Sequence, residues 1–154
     1  MKTISEKEAL HKATAYCSAA ERCIADVTEK LSKWDVPGKE SQQIIDYLLQ
    51  ENFINETRYV KSYVADKLTF NKWGKIKIAY NLQQKKIDAK LIQQELDSID
   101  DDTYFDLLLK LLLSKRKTIT GKNEYEIKNK LFKFALSRGF SSSDSQTVVN
   151  QLFK

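Results

Sequence analysis

Three stretches of the chain carry one arrangement of apolar positions. Around Val27 the sequence reads VTEKLSKWDV, with Val27, Leu31 and Val36 apolar. From Trp73 to Ile87 it reads WGKIKIAYNLQQKKI, with Ile78, Leu82 and Ile87 in the matching places. Around Leu131 it reads LFKFALSRGF, with Leu131, Ala135 and Phe140. In each copy these residues fall at relative positions 0, 4 and 9, and the copies are offset by 51 and then 53 residues. Residues four apart stack on one helix face. A near-constant period of this size marks a repeat architecture. The chain is therefore expected to be three copies of one helical unit.

Helical periodicity and capping signals divide each copy into three helices. Ser5 with Glu8 makes a capping box that opens the first helix, which runs to about Arg22 with Ala9, Ala13, Tyr16 and Ala20 on one face. The second spans Ile24 to Trp34 and stops at Asp35-Val36-Pro37-Gly38, because proline disfavours helical geometry at the residue before it. The third covers Lys39 to Glu51, with Ile44, Ile45, Leu48 and Leu49 as its buried stripe. Asn55 caps the fourth, Glu56 to about Thr69, which buries Tyr59, Val60, Tyr63 and Val64. The fifth begins near Asn71. The sixth runs from Asp88, a capping residue, to about Ser98 with Leu91, Ile92 and Leu96 inward. Asp100 to Asp102 suit the start of the seventh, Thr103 to Lys115, through the helix dipole. Asn123 with Glu126 caps the eighth, which ends at Arg138 before Gly139. Ser143 with Gln146 caps the ninth, Asp144 to Phe153. The expected fold is all-α: three tandem three-helix repeats, covering 1–54, 55–99 and 100–154, in an elongated, curved array.

Composition agrees and adds a charge asymmetry. Of 154 residues, 42% are apolar and 31% charged, which suits a folded soluble chain. Four glycines and one proline are too few for an all-β protein, which needs many tight turns. The net charge of +5 is unevenly placed. Residues 1–36 carry six basic and six acidic side chains, whereas Lys72 to Lys90 sums to +5 and Lys110 to Phe140 to +7. Glu95 to Asp106 holds six carboxylates and no basic residue. Such a distribution points toward polyanionic partners for the second and third units.

The motifs resemble those of the RecX family, the bacterial modulators of the RecA recombinase. Leu48 to Tyr59 (LLQENFINETRY) is similar to the family stretch ending Asp-Asp-x-Arg-Phe-Ala. Trp73-Gly74-Lys75-Ile76 with Leu82 and Lys85-Lys86-Ile87 resembles its Gly-x-x-x-Ile … Leu-x-x-Lys-Gly-Ile element. Leu131 to Phe140 resembles the Leu-x-x-Phe-Leu-x-x-Arg-Gly-Phe element of the third repeat. Asn55-Glu56 stands for two aspartates, Val60 for alanine and Lys86 for the usual glycine, and the first helix carries fewer arginines than the family's. The resemblance implies a protein that lodges in the groove of the RecA filament on DNA; a monomer is expected, and the cytoplasm is the default compartment for a chain without a signal or span. It implies suppression of recombinase, ATPase and coprotease activity, and so a part in DNA recombination, repair and the SOS response. Direct contact with DNA through the basic face is also implied for some members.

The residues that would meet RecA or DNA are Arg58, Lys61, Lys67, Lys72, Lys75, Lys77, Lys85, Lys86, Arg116, Lys117, Lys130, Lys133 and Arg138. For any one of these lysines the alternative is a solvated helix face. Trp34, Trp73 and the tyrosines read as core rather than base-stacking platforms. The alternative function is a basic helical module that binds nucleic acid without RecA. Chemistry adds little. No Gly-rich phosphate loop, H-E-x-x-H, C-x-x-C or G-x-S-x-G motif is present, so no catalytic activity is expected. Cys17 and Cys23 lack metal or redox spacing and read as small buried residues, and the single histidine, His11, reads as a surface residue. No cofactor or metal is expected. Lys2, Glu6, Lys7 and Glu8 break any apolar run at the start, and no stretch approaches the roughly 20 apolar residues of a membrane span, so neither a leader nor a membrane partner is expected.

Overall fold

The computed structural model describes residues 4–154, so Lys2 lies outside the described residues. Within them nine α-helices and no strand occur: α1 (Glu6–Ala19), α2 (Ile24–Lys33), α3 (Gly38–Gln50), α4 (Glu56–Asp66), α5 (Lys75–Gln84), α6 (Ala89–Asp97), α7 (Asp101–Arg116), α8 (Glu124–Ser137) and α9 (Ser142–Leu152). They pack as three successive triplets, called here units 1, 2 and 3. Side chains of Ser5, Asn55, Asp100 and Asn123 accept the backbone N–H three residues on, at Glu8, Arg58, Thr103 and Glu126. Each such cap is worth about 1 kcal/mol to its helix.

The apolar pattern that repeats in the sequence has a backbone cause. The middle helices α2, α5 and α8 all end in a Schellman turn. In unit 1 the Val36 N–H donates to Leu31 C=O (3.0 Å) and the Asp35 N–H to Ser32 C=O (3.0 Å). Ile87 to Leu82 with Lys86 to Gln83, and Phe140 to Ala135 with Gly139 to Leu136, repeat both bonds. The turn brings the residue after the left-handed position back onto the last helical turn. That is why positions 4 and 9 of the pattern meet in the core, and all nine pattern residues are buried. The left-handed residue is Asp35 (φ 58°), Lys86 (φ 59°) or Gly139 (φ 95°). A Cβ in this region costs about 1 kcal/mol. Lys86→Gly is therefore expected to raise stability by about 0.5–1 kcal/mol, read from the urea midpoint.

Several expected boundaries move. Helix α1 stops at Ala19 rather than Arg22, and Ala20 is exposed; Arg22 turns back so that its Nε donates to Tyr16 C=O at 3.1 Å. Helix α5 starts at Lys75, because Lys67–Asn71 forms a single π-turn that ends on Lys72 in the left-handed region. Leu49 is exposed, since it lies about 140° around the helix from Ile44, at the edge of the stripe. Ser141, not Ser143, caps α9 by accepting from the Asp144 N–H, and Asp88 precedes α6 without a side-chain cap bond. Tyr47, Tyr80 and Tyr125 are exposed rather than in the core, and Tyr16, Tyr63, Trp34 and Trp73 are half-buried.

The core is divided unequally. Unit 1 has its own cluster, built on Ala9, Ala13, Val27, Leu31, Ile44 and Leu48. Units 2 and 3 share one continuous cluster running from Val60, Ile78 and Leu82 through Tyr104 and Leu108 to Leu131 and Val148, and of unit 1's fully buried residues only Cys23 reaches into it. The accessible surface is 9658 Å². A compact monomer of 17.9 kDa would expose about 8,000 Å², so the array is extended.

Candidate functional site

The middle helices meet end to end, and the two meetings differ. At the N-terminus of α5, the Gly74 N–H donates to Arg138 C=O (2.7 Å) and the Ile76 N–H to Gly139 C=O (3.0 Å). The Lys75 N–H donates to the Tyr104 hydroxyl at 2.9 Å. Amides that a helix start leaves unpaired are thus satisfied by the carbonyls at the end of α8 and by a buried phenol. Burial pushes the Tyr104 hydroxyl up to about 12, so it stays protonated at neutral pH. Two glycines make the approach possible. A Cβ on Gly74 would lie 2.4 Å from Gly139 C and O, and one on Gly139 would lie 2.3 Å from Lys77 Cβ.

Between units 1 and 2 the same positions hold Cys23 and Lys86 in place of the glycines. Side chains bridge this joint. Lys85 Nζ lies 2.5 Å from Asp26 Oδ1, the Ile24 N–H donates to Glu56 Oε2 at 3.0 Å, and Arg58 pairs with Glu21. Burial alone would raise the Asp26 carboxyl, but the hydrogen bonds from Lys85 and the Cys23 N–H outweigh it and hold Asp26 below its ordinary value. Burial raises Glu56, with Asp26 adding to it. Burial also pushes the Cys23 thiol up to about 11, so it is not a nucleophile at neutral pH. A native pKa below the unfolded one stabilises above the unfolded value, about 3.9 for aspartate, and loses that stability as pH falls through the native value. The stability gap between wild type and Asp26→Asn should therefore be full at pH 7 and close on acidification, as read by urea midpoints across pH 2–7.

The thirteen candidate cations sort into two classes. Arg58 pairs with Glu21 and donates to the carbonyls of Asn52 and Phe53, bracing the start of unit 2. Lys85 pairs with Asp26, Lys61 lies 3.8 Å from Glu95, and Lys130 reaches Glu126 and Thr120 C=O. The others have no carboxylate within ion-pair distance among the described residues. Lys86, Lys117 and Lys133 are exposed, Lys72 donates to Thr69 C=O, and Arg116 donates to Leu152 C=O over the Phe153 ring.

Three of the unneutralised cations, Lys75, Lys77 and Arg138, belong to the joint between units 2 and 3, and these three and Lys67 rest on aromatic rings. Lys67 and Lys77 lie 5.0 and 4.8 Å from the centre of Trp73, Lys75 lies 4.7 Å from Tyr104, and the Arg138 guanidinium lies 5.5 Å from Phe134. Arg138 Nε is buried and has no hydrogen-bond partner among the described residues. Ring faces stabilise a cation without cancelling its charge, so this joint holds a fixed positive field suited to carboxylates or phosphates.

The motifs that build this joint, Gly74 to Ile78 and Arg138-Gly139-Phe140, lie within two segments that match known family models. Residues 55–96 match the model of the RecX second three-helix domain, and residues 102–149 that of the RecX third three-helix domain. The chain belongs to the RecX family. The regulatory protein RecX of Clostridium botulinum (strain Eklund 17B / Type B) is 31% identical over 157 residues, covering 98% of this chain and 73% of that protein. RecX of Clostridium tetani is 33% identical over 128 residues, covering 82% of this chain and 58% of that protein. This chain thus spans between about half and three quarters of the length of the curated relatives it matches. The crystal structure of RecX from Lactobacillus salivarius superposes with a TM-score of 0.82 at 25% identity, covering 96% of each chain. Membership makes it one of a family of regulatory proteins. No helix among the described residues is long and apolar enough to cross a membrane.

Sequence reasoning missed the side chains that hold the joints. The carboxylate of Glu56 caps α2 of the preceding unit. Tyr104 reads as one more apolar residue until its hydroxyl is seen to receive the Lys75 N–H.

Proposed function

We propose that this RecX-family chain binds RecA filaments on DNA and restrains their ATPase, strand-exchange and coprotease activities without catalysing a reaction itself. The observation that carries this reading is the field of unneutralised cations at the joint of units 2 and 3, built from the motifs the family shares. An extended array with a positive flank fits along an acidic helical groove and spans neighbouring protomers, so weak contacts on each module add. We take 1–54, 55–99 and 100–154 as the modules, the working form as a monomer and the cytoplasm as the compartment.

The test is RecA's ATPase on single-stranded DNA with this protein titrated in. Wild type is expected to inhibit. Lys75→Glu with Lys77→Glu should keep its helical content and weaken inhibition about tenfold or more, as removal of interface charge pairs does. Unchanged ATPase at a protein excess over RecA would overturn the proposal. The +5 and +7 segments favour a second reading, direct binding of nucleic acid. It predicts preference for naked DNA over RecA-coated DNA, with an affinity that falls steeply with salt.

A further inference from the structure

We infer that the outward face of α5, formed by Ile76 and Tyr80 between Lys75 and Lys77, is the docking surface for a protein patch in which an apolar side chain sits between carboxylates. This inference rests on the filament reading and names the surface that would meet it.

The three units provide an internal comparison. Ile76 and Tyr80 are one turn apart on α5 and are 58% and 61% exposed. At the equivalent places α2 carries Ala25 and Glu29, and α8 carries Asn129 and Lys133. Glu29 is engaged with Lys33 at 3.1 Å. Packing within a unit therefore does not require a large apolar side chain at either position. Only the middle unit presents a pair of them, at a cost in solvation that folding does not explain.

The surroundings of the pair select its occupant. Lys75 and Lys77 lie about 100° to either side of Ile76 on the helix, so the apolar stripe has a cation on each flank. Their ammonium groups are steadied over Tyr104 and Trp73 and have no carboxylate within ion-pair distance among the described residues. Large apolar side chains at the centre with charges at the rim are the composition of a protein interface. Lysines alone would serve a phosphate backbone, but an exposed apolar pair adds nothing to phosphate contacts, and stacking of bases needs consecutive ring faces. Ile76 offers none, and Tyr80 is the only aromatic residue on α5. The complementary patch places its carboxylates about 10 Å apart, the width of a helix.

The experiment measures binding of labelled full-length chain to RecA filaments on single-stranded DNA and, separately, to the same DNA without RecA. The key variant is Ile76→Ser with Tyr80→Ser. Both residues are exposed, so circular dichroism should report an intact fold. Affinity for filaments is expected to fall about tenfold or more, with binding to naked DNA unchanged. Ile76→Leu with Tyr80→Phe should retain wild-type affinity, and so should Glu29→Ser. If the double serine variant binds filaments as tightly as wild type, the docking surface is wrong while the filament reading stands. If wild type itself ignores filaments, the filament reading fails and this inference with it. Parallel loss of naked-DNA binding would make nucleic acid the occupant. A wild-type dimer in sedimentation that becomes monomeric on substitution would make a second copy the occupant. Either result overturns the proposal.

Discussion

Gly139→Ala is expected to destabilise the protein by about 3–5 kcal/mol, the range reached when a special backbone conformation and packed contacts are lost together. Three costs combine. The residue sits at φ 95°, where an L side chain is strained. Its new Cβ would lie 2.3 Å from Lys77 Cβ and 2.7 Å from Lys77 N, so α5 must withdraw. Withdrawal breaks the bonds from Gly74 and Ile76 to the end of α8 and leaves amides at a buried helix start unpaired. Gly74→Ala separates these effects. Gly74 has φ −81° and is not strained by a side chain, but its Cβ would meet Gly139 C and O at 2.4 Å. It should lower stability less than Gly139→Ala while opening the same joint. Urea midpoints give the ranking. Cross-linking between cysteines placed at the joint would show its opening. Equal stability of Gly139→Ala and wild type would mean that this backbone contact does not hold units 2 and 3 together.

How much of this was legible beforehand depends on where the information lies. The nine pattern residues were readable because a Schellman turn forces two of each set together, and that constraint writes itself into spacing. The π-turn at Lys67–Asn71 was not readable, because KLTFN contains no glycine or proline to mark a break. Tertiary contacts accompany it: Leu68 is buried and Trp73 lies between Lys67 and Lys77. Ser141, Ser142 and Ser143 are equivalent by residue type, and the turn at Gly139-Phe140 makes Ser141 the cap of α9. The candidate cations were found as residue types, but charge counting does not reveal which lysine has a carboxylate partner. Arg58 shows this. Its motif position fits either recognition or a structural salt bridge, and its guanidinium pairs with Glu21 and donates to Asn52 C=O. The exposed pair Ile76 and Tyr80 was within reach of the sequence, since aligning the copies at offsets of 51 and 53 sets Tyr80 beside Glu29 and Lys133.

Truncating the same repeat position in different units should expose the unequal division of the core. Leu82→Ala removes a fully buried side chain from the cluster that units 2 and 3 share, and is expected to cost about 2–5 kcal/mol. Its equivalent, Leu31→Ala, removes a side chain that is also 0% exposed, but from the separate cluster of unit 1. Unit 1 has a small core, and small cores are marginal alone. It is joined to unit 2 by Cys23, whose small side chain is buried in the neighbouring cluster, and by Asp26–Lys85, Glu21–Arg58 and the Ile24–Glu56 bond, which are partly solvent-exposed and weakened by salt. Leu31→Ala should therefore melt unit 1 while leaving the helices of units 2 and 3 in place, giving two transitions in urea. Leu82→Ala should lower the transition of units 2 and 3 together, because the glycine contact and the continuous core couple them. Hydrogen exchange resolved by segment would assign each transition to its residues. A single cooperative transition in both variants, with protection lost at once from all three units, would show that the ionic joint couples as strongly as the backbone one.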